Sequence, residues 1–168
     1  MPYNVRRNRR AVRAEHRARE GNVLLHSIDL ETADKIVDAA LAKGRELECE
    51  PLTVAVLDDS GTVKSMKRED GSSLMRPDIA AGKAWGCLGF GFGNRVVVAR
   101  AQSHPMFINA LTDMSGGRIV PSPGGVLIKN AEGRTIGAIG ISGDTGENDE
   151  ICAIAGIEAV GLTPDTGA

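Results

Sequence analysis

The sequence predicts an α+β fold, in which helices pack on the faces of one antiparallel sheet of four or five strands. Two pairs of apolar segments, each pair joined by a short polar turn, lie at residues 52–69 and 126–141 and are typical of β-hairpins. Segments with helical periodicity precede, separate and follow these hairpins. Because a lone hairpin is only marginally stable in water, we expect the two to pair edge to edge in a single sheet.

Length and composition indicate one soluble domain. The chain has 168 residues, of which 42% are hydrophobic and 25% charged, enough to bury a substantial core. No apolar stretch reaches the roughly 18 residues needed to cross a bilayer, and the N-terminus lacks the apolar segment of a secretory signal. We therefore expect a cytoplasmic protein without membrane contact. Cys49, Cys87 and Cys152 show no CxxC spacing and are predicted to be buried, reduced thiols.

The N-terminal segment differs in charge from the rest of the chain. Residues 1–20 hold seven arginines and two acidic residues, a net charge of +5, whereas the remainder carries 13 basic and 20 acidic residues, a net charge of −7. We interpret residues 1–28 as a basic arm, partly disordered or intersubunit, that precedes a domain over residues 29–168. Nucleic-acid binding is disfavoured because the arm has one aromatic residue and no regular stacking platform. A mitochondrial presequence is a further alternative, although serine is missing there.

The first half of the domain is predicted to be a helix followed by a hairpin. Residues 29–47 place apolar side chains three or four apart, with Asp29 as a plausible N-cap. Residues 52–58 are mostly apolar, as in a central strand covered on both faces, and residues 62–69 alternate as in a strand with a wetter face. Gly61 in the connecting turn is expected to adopt a positive φ.

The second half begins with helices. Residues 79–91 are rich in small residues that allow a helix to pack closely on a sheet, and Asp78 is predicted to cap this helix. Residues 94–103 fit a helix or a strand, and we favour a helix because a short helical segment, residues 105–114, follows. The last helix is predicted at residues 147–160, after the second hairpin. Its expected apolar face consists of Ile151, Ile154, Ala155 and Val160.

Several sequence blocks together identify a family. VAVLDDSGTVKSMKREDG, DIAAGKA, PGGVLIKN, GAIGISG and DEICAIAG occur in this order, and the region from about Asp29 to Leu162 resembles the GlcG/HbpS family. This family also includes the C-terminal domain of PduO-type corrinoid proteins. The resemblance implies a profilin-like sheet with helices on both sides, homo-oligomers, and in several members binding of haem or of an iron-bearing or corrinoid cofactor. Other members lie beside catabolic enzymes for small hydroxy acids, in what reads as a catabolic operon. The arginine-rich arm lies outside the match.

Four residues are candidates for a ligand site. His104 is a possible axial haem ligand or general base, the alternative being a partly exposed loop histidine. Lys83, in the DIAAGKA block, could pair with a carboxylate or propionate or, if desolvated, act as a base or Schiff-base nucleophile, the alternative being a lysine that reaches solvent. Gly124 and Gly125 could offer backbone N–H groups to an anion, or simply form a tight turn.

The acidic start of the last helix is a weaker candidate. Asp144, Glu147, Asp149 and Glu150 could hold a hard cation, but we favour a solvated helix start because acidic side chains are stabilised there by the helix dipole. The cysteines lie in apolar contexts that do not activate a thiol.

The favoured hypothesis is a homo-oligomeric small-ligand-binding protein that holds haem or a related iron or tetrapyrrole cofactor, with Lys83 beside a propionate, His104 on the iron, and Gly124 and Gly125 bounding the site. The alternative is an enzyme acting on an oxo- or hydroxy-acid, with Lys83 and His104 as acid/base groups and the two glycine amides stabilising an oxyanion. The low aromatic content counts against haem. A structural or recruiting role for the arginine arm is a third possibility.

Overall fold

The structure is a computed structural model that describes residues 27–168. It contains five helices and five strands within those residues. In chain order these are α1 (Leu30–Glu46), β1 (Thr53–Asp58), β2 (Val63–Arg68), α2 (Arg76–Phe90), α3 (Asn94–Ser103), α4 (Pro105–Met114), β3 (Gly125–Lys129), β4 (Thr135–Ser142), α5 (Gly146–Glu158) and β5 (Thr163–Asp165). Residues 1–26, most of the predicted basic arm, lie outside the described part of the chain.

The five strands form one antiparallel sheet in the order β2-β1-β4-β3-β5. The two hairpins are joined through β1 and β4, whose register runs from Thr53 opposite Ser142 to Asp58 opposite Gly137. Strands β2 and β5 are the two edges of the sheet. The predicted α+β fold is therefore confirmed, including the edge-to-edge pairing of the hairpins and the upper strand number.

Helices cover both faces of the sheet. On one face α1 and α5 form the larger core with Val54, Val56, Ile139 and Ile141, all fully buried. On the other face α2 packs on Ala55, Leu57 and neighbouring small residues. Since burying one branched aliphatic side chain contributes about 1.5–3 kcal/mol, the larger cluster dominates the stabilisation of the fold. Strand β1 is covered on both faces, as its continuous apolar run predicted.

The contact between α2 and the sheet depends on one glycine. A Cβ atom on Gly140 of β4 would lie 1.9 Å from the carbonyl oxygen of Ala80 and 2.8 Å from the amide nitrogen of Ala84. The helix backbone thus rests directly on the strand, which explains why α2 is built from small residues. Close packing offsets the poor helical propensity of its glycines.

The predicted N-cap of α1 is confirmed, whereas the predicted N-cap of α2 is wrong. Asp29 accepts a hydrogen bond from the N–H of Thr32 at 2.7 Å, as an N-cap should. Helix α2 instead begins at Arg76, with Met75 in the cap position and Pro77 in the first turn. Proline fits there because first-turn N–H groups have no partner within the helix. Asp78 therefore lies inside the first turn and does not cap the helix.

Helices α3 and α4 confirm the helical interpretation of residues 94–103 and 105–114. In α5, however, the predicted apolar face is wrong in part. Ile151 is 44% exposed, Ile154 and Ala155 are half-buried, and Val160, just after the helix, packs against the core. The apolar residues that α5 buries are Cys152, Ala153 and Ile157. Gly156 sets this orientation, because a Cβ atom on it would lie 2.7 Å from the carbonyl oxygen of Ile36 in α1. Over residues 27–168, no helix is long and apolar enough to span a bilayer.

Candidate functional site

Lys83 is buried in an ion pair. It lies in the middle of α2 with 3% of its surface exposed, and its Nζ donates a hydrogen bond of 2.7 Å to Oδ2 of Asp149 in α5, which is 1% exposed. The alternative of a lysine that reaches solvent is therefore wrong. Small neighbours on α2 leave room for the long side chain to run between the helix and the start of α5.

The backbone also supports Asp149. Its Oδ1 accepts a hydrogen bond of 3.2 Å from the N–H of Asp144, and Oδ2 of Asp144 in turn accepts one of 2.8 Å from the N–H of Glu50. Burial raises the pKa of Asp149 above its usual value, while the charge of Lys83 acts in the opposite direction. This chain of contacts ties α2, the start of α5 and the segment before β1 together.

Gly124 and Gly125 lie directly against this pair. Gly124 has a φ of 100°, and a Cβ atom on it would lie 2.7 Å from Cβ of Asp149 and 3.1 Å from Nζ of Lys83. A Cβ atom on Gly125 would lie 2.7 Å from the carbonyl oxygen of Lys83. The structure thus brings together three of the four residues that the sequence singled out, and adds Asp149 as their charged partner.

Asn94 is a second buried polar residue of this region that sequence reasoning missed. It begins α3 and is fully buried, and its Nδ2 donates hydrogen bonds to the carbonyl oxygens of Val120 and Ser122 at 3.2 and 2.7 Å. A Cβ atom on Gly125 would lie 2.6 Å from that Nδ2. Within residues 27–168 its Oδ1 accepts no hydrogen bond. Asparagine is common at surface turns, so no local pattern marked this residue as buried.

The acidic start of α5 is solvated only in part, with Glu147 exposed and Asp144 half-buried. Besides Asp149, Glu150 is buried and forms an ion pair with Arg95 of α3, with 2.7 Å between the guanidinium and Oε1. The interpretation of these two acids as solvent-facing is wrong because each meets a cation from another helix. In the described part of the chain, no three histidine, cysteine or acidic side chains cluster as a metal site would require.

His104 lies elsewhere, at the junction of α3 and α4. It is exposed, ends α3 and precedes α4, and its Nδ1 shares a hydrogen bond of 2.9 Å with Oγ of Ser103. Two apolar side chains beside it face solvent, Met106 at 86% and Phe107 at 55% exposure. Among the hydrogen bonds and ion pairs of residues 27–168, none links His104 to Lys83. The roles predicted for both residues stay predictions.

A shallow depression of about 470 Å³ lies near the start of β1, lined by Arg45, Pro51, Arg68, Glu69 and Asp70. Arg45 and Glu69 form an ion pair at 2.8 Å, so two of the four charged side chains in this depression neutralise each other. None of its lining residues was a sequence candidate.

The prediction that the cysteines are buried, reduced thiols is confirmed. All three are free and buried, and burial raises the pKa of Cys87 and of Cys152 to about 12.

Comparison with known proteins gives consistent matches over this domain. The family described as "Haem degrading protein HbpS-like" matches residues 28–158. A Citrobacter freundii protein described as an uncharacterized 15.0 kDa protein in the dhaT-dhaS intergenic region is 32% identical over 129 residues, which cover 76% of this chain and 87% of the relative.

Two solved structures show the same architecture. The crystal structure of a PduOC:heme complex superposes with a TM-score of 0.72 at 23% identity, covering 81% of this chain and 96% of that chain. A double mutant of HbpS from Streptomyces reticuli superposes with a TM-score of 0.70 at 26% identity, covering 80% of this chain and 88% of the other.

Proposed function

The chain belongs to the family of haem-degrading, HbpS-like proteins, and from this premise we propose that it binds haem, or a related iron tetrapyrrole, as a homo-oligomer. The family match covers nearly all of the described domain. The description of the matching family as haem-degrading supports the ligand class, and the likeness to the PduOC:heme complex and to HbpS supports the fold. The location named for the Citrobacter relative supports the predicted association with an operon.

The observation that carries the proposal is the surface around His104. A haem site needs an axial ligand for the iron and apolar side chains against the porphyrin. His104 offers an exposed imidazole, and Phe107 at the start of α4 offers exposed apolar surface next to it. Bound haem would supply the iron chemistry, and the residues of this chain would hold and orient the porphyrin.

A cation for the propionates is available one turn before His104. Arg100 is exposed, and its guanidinium lies 4.6 Å from the centre of the Phe92 ring, which fixes the direction of the side chain. Arginine pairs well with carboxylates through two parallel hydrogen bonds. Lys83, the propionate partner expected from the sequence, is already neutralised by Asp149. We therefore assign Lys83 a supporting role, in which it holds Gly124 and the start of α5 in position.

The exposure of Met106 also supports the homo-oligomer. Residues 27–168 leave this side chain open to water, and a haem site with one open side loses much of its apolar contact. A second subunit that packs on Met106 would close this side of the site. This arrangement offsets the shortage of aromatic side chains, because apolar residues come from two chains.

Haemin titration followed by absorption spectroscopy tests the proposal. We expect the purified protein to shift the Soret band with a defined stoichiometry, and His104→Ala to abolish or strongly weaken that shift. His104→Met, which keeps a possible iron ligand, should bind with a changed spectrum. His26→Ala is the matched control because it removes another of the three histidines.

Each result has a distinct meaning. An unchanged spectrum in His104→Ala would exclude this histidine as the ligand while leaving haem binding in place. A wild-type protein that ignores haemin would overturn the proposal, and the enzyme hypothesis with Lys83 and His104 as acid/base groups would then be tested with small oxo- and hydroxy-acids.

A further inference from the structure

Helix α4 has apolar residues on two faces, of which the rest of residues 27–168 covers only one. Ile108 is buried where α4 packs on α3. On the opposite side Met106, Phe107 and Met114 are 86%, 55% and 78% exposed, and Ala110 is exposed as well. Contiguous apolar surface of this kind on a soluble chain marks an interaction site.

The exposed residues form a straight stripe. Met106, Ala110 and Met114 are spaced by four residues, so they lie one above another on the helix, and Phe107 borders them. The smallest side chain, Ala110, lies at the centre with one methionine four residues to each side. We refer to Met106, Phe107, Ala110 and Met114 as the α4 stripe.

This stripe is complementary to itself. If two α4 helices run antiparallel about a two-fold axis at Ala110, Met106 of one chain faces Met114 of the partner subunit, and the two alanines meet at the axis. A small residue at that point lets the helices approach to about 8–10 Å. Two-fold symmetry uses the same patch twice, and it is the commonest symmetry of homo-oligomers.

Charge also favours the antiparallel arrangement and a second copy as the partner. Arg100 and His104 lie near the start of α4, and Asp113 lies near its end. An antiparallel pair places the acidic end of each helix beside the basic end of the other, and opposes the two helix dipoles favourably. The arginine-rich segment of residues 1–20 is a poorer partner, because the only acid on α4 that could meet its seven arginines is Asp113.

We propose that two copies of this chain associate through their α4 stripes as an antiparallel helix pair centred on Ala110. The inference rests on the homo-oligomer part of the proposed function and does not require haem. Because α4 has ten residues and is about 15 Å long, the stripe forms the centre of the interface, with its methionines and phenylalanines as apolar anchors.

Disulfide cross-linking tests the geometry. In Ala110→Cys the two new thiols meet at the axis, so mild oxidation should give a covalent dimer on a non-reducing gel. Asn109→Cys is the matched control, since it is exposed on the same helix but lies off the stripe. Met106→Cys mixed with Met114→Cys should cross-link far more than either variant alone. The three native cysteines are buried and should not interfere.

Mass measurement tests the energetics. Met106→Glu should separate the two subunits joined at the stripe and so lower the mass of the native protein in analytical ultracentrifugation. Its circular dichroism spectrum should stay unchanged, because the side chain is exposed. Adding Met114→Lys in the same chain should restore the mass, since the new charges face each other across an antiparallel pair and would repel in a parallel one. Asn109→Glu should behave as wild type.

The outcomes separate the inference from the proposed function. A monomeric wild type would overturn both the inference and the homo-oligomer. A wild-type oligomer whose mass ignores Met106→Glu and in which Ala110→Cys fails to cross-link would overturn the inference alone. If Ala110→Cys becomes reactive towards a maleimide only after residues 1–26 are deleted, the N-terminal segment covers the stripe, which also overturns it.

Discussion

Replacing Lys83 by methionine is the sharpest test of how this domain is held together. Methionine has nearly the length of the lysine stem but no charge, so Lys83→Met keeps the packing and removes the cation. Asp149 then retains one hydrogen bond, from the N–H of Asp144, and has only 1% of its surface in contact with water. Removing one partner of a buried ion pair costs about 3–5 kcal/mol. For a domain of this size, each kcal/mol lowers the melting temperature by about 2–4 °C.

The loss should depend on pH in a defined direction. Burial already raises the pKa of Asp149, and without Lys83 the folded-state pKa rises further. A folded carboxyl group with a raised pKa contributes stability when it is protonated, and this contribution is lost as pH rises through the folded pKa. The difference in the free energy of unfolding between Lys83→Met and wild type should therefore be largest near pH 7. It should shrink as pH falls towards about 3.9, the pKa of an aspartate in the unfolded chain.

Urea unfolding followed by circular dichroism at pH 7 and pH 5 measures both effects. The double variant Lys83→Met/Asp149→Asn should recover at least half of the loss, because the amide carries no charge and still accepts from Asp144. Lys35→Met is the matched control, since Lys35 forms an exposed pair with Glu31 and its removal should leave the unfolding midpoint essentially unchanged. This reasoning would be refuted if the free energy of unfolding of Lys83→Met lay within about 1 kcal/mol of the wild-type value. It would also be refuted if the loss of stability did not change with pH.

Three further predictions concern the rest of the domain. Gly140→Ala should lower the free energy of unfolding by more than about 3 kcal/mol or prevent folding, because the new Cβ would clash with the carbonyl oxygen of Ala80. Urea unfolding or the yield of soluble protein measures this effect. A stability near that of wild type would contradict the direct contact between α2 and β4. Asp29→Ala should destabilise the protein by about 1 kcal/mol through loss of the α1 cap, seen as a melting temperature a few degrees lower; no change would mean that the cap contributes little. Cys87 and Cys152 should react with a thiol reagent at pH 8 only in denaturant, since their pKa values lie at about 12; rapid labelling of the native protein would show that they are not buried.

The fold was predictable because its signals are local. The turns between paired strands, the N-cap at Asp29 and the small residues of α2 each depend on neighbours a few positions away. These signals defined the hairpins and the helices between them. The joining of the two hairpins in one sheet followed from the instability of isolated hairpins, whereas the choice of β1 and β4 as the strands that meet did not.

The candidate site was predictable only in part because its contacts are long-range. Lys83 and Asp149 are 66 positions apart, and nothing local marks either as buried. Acidic residues at a helix start are usually solvated, so the pattern at α5 pointed the wrong way. The buried face of α5 was missed for a related reason, because close backbone contact at Gly156 outweighed the apolar periodicity. Lys83, Gly124 and Gly125 were found through sequence blocks whereas their charged partner was not.

The two edges of the sheet are poor templates for adding strands. Edge strand β2 carries Lys64, Lys67 and Arg68, and edge strand β5 has three residues with Pro164 at its centre, which lacks an N–H. Charged and proline-containing edges resist pairing with strands of other molecules. Both edges of the sheet are therefore protected from amyloid-like growth, and within residues 27–168 the helical surfaces are better suited to assembly than the sheet edges.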